Sequence, residues 1–237
     1  MRFENVPSPY VLIATGLLGL AACSGSHPPG EGEDVPVDPI SDEKQINLTR
    51  IASDGSGNCN FDATPNDLLV VGLNPTEYAG AAMCGGCMEV QGPNQKKVLL
   101  RVVDSCAGCS TEEFGVTPQV FEAIGADDLL QAPVKWRYTT CAVQGPVRYR
   151  FKEGSSQYWM ALQVLNHRRP IQKLELNKSG TWVEIPRQPY NYFVEPAGVA
   201  PGPMQVRITS ADGQMLEDTL PGPNGGVVVD GAAQFNE

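Results

Sequence analysis

Cysteine placement constrains this chain more than any other feature. The 237 residues carry seven cysteines, and six of them (Cys59, Cys84, Cys87, Cys106, Cys109 and Cys141) fall in one stretch. The seventh, Cys23, stands near the N-terminus, and the last 96 residues hold none. Covalent or metal staples are therefore available to only one half of the chain. Cys84-Gly-Gly-Cys87 and Cys106-Ala-Gly-Cys109 are 18 residues apart, a spacing that suits a four-cysteine zinc ribbon. Such a ribbon would leave Cys59 and Cys141 as bystanders, whereas three disulfides use all six. A redox-active pair is the remaining alternative.

The N-terminus bears on that choice. Arg2 precedes an apolar stretch from Val11 to Ala22, too short to span a bilayer and suited to a signal-peptide core. It ends Leu20-Ala21-Ala22-Cys23, which resembles a bacterial lipobox and implies a signal peptide over 1–22 with Cys23 as the lipidated first residue of the mature chain. Two or three acyl chains anchor a protein stably where one does not. Export to an oxidising compartment favours disulfides over zinc, so no metal is expected. Residues 23–45 read as a disordered acidic tether: six acids against Lys44, with Gly, Pro and Ser between them. Its reach is roughly 25 Å.

The formal charge of −10 argues against nucleic acid, which demands a basic face. Half of that charge sits on the tether. Residues 46–145 carry the other half, and residues 146–237 balance nine acids against nine bases. A neutral second half suits a neutral polymer, and an acidic first half predicts poor attraction to anionic ones.

Two all-β domains are expected. Over 46–145 short strands alternate with Gly, Pro and Asn, and Val98 to Asp104 reads as a buried strand ending in a carboxylate. One helix is predicted from Pro118 to about Leu130, with Thr117 as its cap and Val120, Phe121 and Ile124 on one face. The remainder suits a closed small barrel. Gly145-Pro146 marks the boundary. Beyond it Val147, Tyr149 and Phe151 alternate with Arg148, Arg150 and Lys152, the period of a half-buried strand. Hairpins are predicted at Asn177-Lys178-Ser179-Gly180 and at Asp212-Gly213, the latter as a type I′ pair. An antiparallel sandwich over 146–237 accounts for the pattern.

Several ordered segments then carry a resemblance: Gly57-Asn-Cys59-Asn-Phe61, Asn74-Pro-Thr-Glu-Tyr78, Met83-Cys-Gly-Gly-Cys87, Val103-Asp104-Ser-Cys106, Val134-Lys-Trp-Arg137, Lys152-Glu-Gly-Ser-Ser156, Tyr158-Trp159, Gln163-Val-Leu-Asn-His167 and Tyr190-Asn-Tyr-Phe193. Over residues 46–237 the chain resembles a bacterial expansin. The resemblance implies a six-stranded double-psi β-barrel followed by an immunoglobulin-like β-sandwich carbohydrate-binding module. It also implies non-hydrolytic binding and loosening of cellulose-containing cell-wall polysaccharide, with no cofactor. It suggests the pairs Cys59–Cys84 and Cys87–Cys141, leaving Cys106–Cys109 as a local bridge.

The same resemblance supplies site candidates. Asp104 matches the acid-like Asp of the barrel groove, and Thr49 matches a barrel Thr near the first strand. Tyr158, Trp159 and Tyr190 fall on the aromatic platform of the module, with Lys152 nearby. Tyr149, Phe151, Trp182 and Phe193 are expected in the core. Two departures stand out: Gly115 occupies the place of a second Asp, and Cys106 that of a Tyr. An inverting hydrolase needs two carboxylates about 6.5–9.5 Å apart with water between them, so no hydrolysis and weakened loosening are expected. Glu112 or Glu113 could compensate, Glu113 only if its segment is extended. Tyr158 and Trp159 share a face only if they lie in a loop or bulge.

Two rival readings remain: a peptidoglycan lytic transglycosylase resembling rare lipoprotein A, and a non-catalytic polysaccharide-binding adhesin. The expected state is a monomer that meets the membrane through its lipid alone, in the cell envelope at the outer membrane or cell surface, or outside the cell.

Overall fold

The computed structural model describes residues 41–236; the expected signal peptide, Cys23 and the expected tether up to residue 40 lie outside the described residues. Six strands form the first half: β1 (Lys44–Arg50), β2 (Val70–Leu73), β3 (Cys87–Gln91), β4 (Lys97–Ser105), β5 (Glu113–Val116) and β6 (Gln131–Thr139). They close in the order β1-β5-β2-β4-β3-β6, with β1 parallel to β5 and β2 parallel to β4. This is a double-psi β-barrel. Leu48, Val71, Met88, Leu100, Phe114 and Trp136 fill its interior, and the Trp136 ring meets Phe114 and Tyr138 edge-on at 5.1 and 5.0 Å.

Two short helices ride on the barrel. The first, α1 (Pro75–Tyr78), was not expected from the sequence, although Asn74 caps it by accepting from Glu77 N (3.0 Å) and Pro75 opens it. The predicted long helix stops early, as α2 (Pro118–Ala123). Gly125 turns the chain left-handed (φ +66°), and the N–H groups of Gly125 and Ala126 close on Glu122 and Phe121. Thr117 does not cap α2; its hydroxyl donates to Leu68 O instead (2.5 Å).

The second half is an immunoglobulin-like β-sandwich. Its strands are β7 (Arg148–Phe151), β8 (Met160–Leu165), β9 (Ile171–Lys178), β10 (Thr181–Glu184), β11 (Phe193–Glu195), β12 (Met204–Ser210), β13 (Met215–Leu220) and β14 (Val228–Asp230). One sheet runs β10-β9-β12-β13 and the other β11-β8-β7-β14. Tyr149, Phe151, Leu162, Leu174, Phe193, Val206 and Ile208 pack between them. The β9–β10 hairpin turns on Ser179 and Gly180, both with positive φ, as a type I′ turn requires. The β12–β13 hairpin differs from the expected two-residue turn. Ser210 N bonds Gln214 O across three residues, a loop that a left-handed Gly213 closes.

Trp182 corrects the expected core. It lies half-buried on β10, outside the sandwich interior, with the Arg207 guanidinium stacked 4.5 Å above its ring. Glu175 holds that guanidinium through two bonds of 2.9 and 2.8 Å.

Barrel and sandwich meet along a polar seam. Asn58 Nδ2 and Tyr78 Oη both donate to Pro189 O (2.9 and 2.8 Å), Asn60 Nδ2 donates to Tyr190 O (3.0 Å), and Asn191 Nδ2 donates to Cys59 O (3.0 Å). Buried Gln163 adds a bond to Cys59 O (2.8 Å), and Arg187 reaches Ala81 O (2.8 Å). The disulfides joining Cys59 to Cys84 and Cys87 to Cys141 flank this seam, and Cys141 N also bonds Arg168 O (2.8 Å).

His167 is buried in the same seam, donating from Nδ1 to Arg169 O (2.8 Å). Burial lowers its pKa from 6.5 to about 4; the bond to Arg169 opposes that shift and the Arg187 charge adds to it. The unfolded chain therefore takes up a proton below pH 6.5 that the folded chain refuses until about pH 4. Stability is predicted to fall as pH drops through that window, by up to about 3 kcal/mol from this group, with no such loss above it. Denaturant midpoints measured from pH 7 to 4 should show this slope, and His167→Gln should flatten it. A wild-type midpoint unchanged across the window would contradict the assignment.

Candidate functional site

The barrel groove grows out of strand register. Thr49 on β1 pairs with Gly115 on β5, Gly115 with Gly72 on β2, and Gly72 with Asp104 on β4. Paired residues point to the same side of a sheet, so these four form one row across the barrel wall. Leu48, Val71 and Phe114, their immediate neighbours, point inward and are fully buried. Thr49 and Asp104 thus stand at the ends of this row, about 14 Å apart at the usual strand spacing, and the two glycines between them are buried, Gly115 under Ile51 and Cys106 and Gly72 under Cys106.

A bulge places the carboxylate. Val71 pairs with Val102, but Gly72 pairs with Asp104, leaving Val103 as an extra residue on β4. In regular alternation Asp104, two residues after Val102, would share its inward face; the bulge turns it outward. The Asp104 carboxylate accepts from Asn58 N (2.7 Å) and Ser105 N (2.8 Å) through one oxygen. Asn58 also bonds Tyr78 Oη (3.1 Å), so groove carboxylate and seam share one loop. Burial raises the Tyr78 pKa to about 12, with the nearby Asp104 charge adding to the effect, and the phenol stays protonated as a donor.

The place that the resemblance gives to a second acid is filled. A Cβ on Gly115 would lie 2.8 Å from Ile51 Cγ2 and 3.2 Å from Cys106 Sγ. Cys106 is bridged to Cys109, so its sulfur has little freedom to move. Glu113 does share the outward face of extended β5, but Ser110 N (3.1 Å) and Gln131 Nε2 (2.5 Å) occupy its carboxylate. The Ser110 bonds lower its pKa, the opposite of what a general acid requires. Glu112 is exposed just outside β5.

On the sandwich, the expected aromatic residues lie along the β11-β8 pair. Ser156–Trp159 is a tight turn, with Ser156 N bonding Trp159 O (2.8 Å), so Tyr158 and Trp159 stand in a loop before β8. Tyr158 is 77% exposed, the most open aromatic ring among the described residues. The register of β11 on β8 puts this turn at one end of the pair and Tyr190 at the other, beside the barrel. Lys152 lies 5.6 Å over the ring of Tyr192, which meets Tyr190 at 6.0 Å. Tyr192 is thus the ring that joins two of the expected residues. The Tyr190-x-Tyr192 alternation signalled it.

Gly198 braces the exposed turn. Its φ is +72°, a Cβ would fall 2.0 Å from Gln157 O, and the next residue, Val199, donates to that same oxygen (3.0 Å). Gly198→Ala is predicted to displace Tyr158 and to cost more than about 1 kcal/mol. Chemical denaturation measures the cost; a variant as stable as the parent would contradict this bracing.

No family model matches the chain. Expansin-YoaJ of Bacillus subtilis is 34% identical over 186 residues, covering 75% of this chain and 79% of that protein. Expansin-like protein 5 of Dictyostelium discoideum is 28% identical over 193 residues, covering 76% and 80%. The crystal structure of the apo expansin of Clavibacter michiganensis matches with a TM-score of 0.73 at 30% identity, over 82% of this chain and 98% of that one. A mutant of the same expansin, crystallised in complex with cellohexaose, matches at 0.74 with the same identity and coverage. Identity of about one third sustained through barrel and sandwich alike, over four fifths of the Bacillus relative, means that this chain belongs to the expansin family.

Proposed function

We propose that this protein binds cellulose or a related cell-wall glucan and loosens its packing without cutting it. The observation that carries this reading is the open Tyr158 ring on a braced turn beside Trp159, with Tyr190 towards the other end of the same sheet pair. Sugar rings present apolar C–H faces, which stack on aromatic rings held rigidly in place. The cellohexaose complex of the Clavibacter relative supports the same ligand class. Lys152 adds donors for sugar hydroxyls beside the rings.

The barrel contributes a trough, with Asp104 as its carboxylate and Thr49 at the far end. Hydrolysis with inversion needs a second carboxylate within about 6.5–9.5 Å. Ile51 and the Cys106–Cys109 bridge crowd the position where it would stand, so the chemistry stops at hydrogen bonding to the glucan. Loosening is correspondingly weaker than in a relative with two acids. The two domains, divided near Gly145-Pro146, act together as a monomer. Lipid on Cys23 would hold the exported protein at the cell envelope, with the acidic tether as spacer.

Replacing Tyr158, Trp159 and Tyr190 together by Ala is predicted to abolish retention on cellulose while leaving the unfolding midpoint of the barrel unchanged. Pull-downs on cellulose, xylan and peptidoglycan side by side, with chromatography of soluble products, provide the measurement. Undiminished retention would refute the platform. Released cello-oligosaccharides or muropeptides would replace loosening with an enzymatic reading.

A further inference from the structure

A cavity of about 260 Å³ opens at the seam between barrel and sandwich, apart from both the trough and the exposed turn. Its lining includes three arginines from the two halves, Arg101 on β4 with Arg148 and Arg150 on β7, together with Phe61, Asp62 and His167. The concentration is unusual in a chain whose net charge is −10.

The charges do not cancel within the cavity. Arg150 pairs with Asp62 at 2.5 Å, but that carboxylate is 81% exposed, and Arg148 pairs with Asp230, also well exposed. Exposed pairs of this kind hold their partners weakly. Arg101 has no carboxylate within ion-pair distance among the described residues. One terminal nitrogen donates to Thr64 Oγ1 (3.1 Å), while its buried Nε has no partner. His167 adds no charge near neutrality, since burial holds its pKa at about 4.

Size and lining narrow the ligand. A volume of about 260 Å³ suits a group the size of one sugar residue. Phe61 supplies a ring face beside Arg101 (5.9 Å), and a planar carboxylate matches the guanidinium fork. The cavity also adjoins the expected aromatic residues, because the Arg150 guanidinium lies near enough to Tyr192 to oppose the rise in pKa that burial gives its phenol, and Tyr192 is the ring that Tyr190 and Lys152 both approach.

We infer that this seam cavity is a subsite for an acidic sugar, a uronate carried as a side group on a neutral polysaccharide backbone. Resting on the binding function proposed above, the inference adds that the backbone lies on the aromatic track while the pendant carboxylate enters the arginine cavity. Overall acidity disfavours fully anionic polymers at long range; a single uronyl group on a neutral chain escapes most of that repulsion and meets a local positive site.

Calorimetric titration of the exported, folded chain tests this with two xylo-oligosaccharides of equal length, one bearing a single glucuronyl group and one bare. The acidic ligand is expected to bind at least about tenfold more tightly at low salt. Arg101→Gln and, separately, Arg148→Gln should reduce that ratio towards one, and free glucuronate should compete better than inorganic phosphate. Equal binding of the two ligands, a ratio that survives both substitutions, or equally effective phosphate competition would overturn the subsite. Cellulose retention of the same samples separates the two proposals. Retention without acid preference sinks the subsite alone, while acid preference without retention sinks the cellulose reading alone.

Discussion

The seam between barrel and sandwich is the constraint on which the rest depends. Residues 58–60 each bond to one of residues 189–191, and Cys59 is fixed to Cys84 at the centre of that contact. The backbone of the same loop holds Asp104, and the loop it grips carries Tyr190. On the function proposed above, this seam fixes the Asp104 loop against the segment that carries Tyr190, and such rigid presentation lowers the cost of ordering both on a ligand. Two of the three disulfides lie at this seam, the place where the barrel most needs a fixed edge.

The groove follows a second constraint, the extra residue Val103. Bulged at that residue, β4 presents Asp104 on the side opposite to Val102, where regular alternation would put the two together. Opposite it, Gly115 cannot be exchanged for a carboxylate without moving Ile51 or the bridged Cys106. The space on the outward side of Gly115 is thus taken by its neighbours. Glu113, facing the same way, is committed to Ser110 and Gln131.

Much of this was legible in the sequence. Alternation through Val147, Tyr149 and Phe151 located a strand, and Ser179-Gly180 a turn, because both rest on local backbone rules. The order of short segments across both halves identified the family. The helix predicted to about Leu130 failed for a local reason, because Gly125 ends α2, and Leu130 stands 86% exposed. The other failures depended on partners distant in sequence. Trp182 looked like core until Arg207, 25 residues later, covered it. The bulge at Val103 leaves no compositional trace, since one extra apolar residue in an apolar strand changes nothing in the pattern. The arginine cavity combines β4 with β7 and was unreadable before the seam was known.

The central claim is that a glucan binds along the aromatic track and leaves uncut. Titrating the protein with cellohexaose while recording NMR spectra of protein and sugar together tests it most directly. The account predicts shift changes concentrated at Tyr158, Trp159, Tyr190 and Tyr192, with the hexasaccharide signals intact after prolonged incubation. Shorter oligosaccharides appearing in the sugar spectrum, or shifts confined to residues away from these rings, would contradict it.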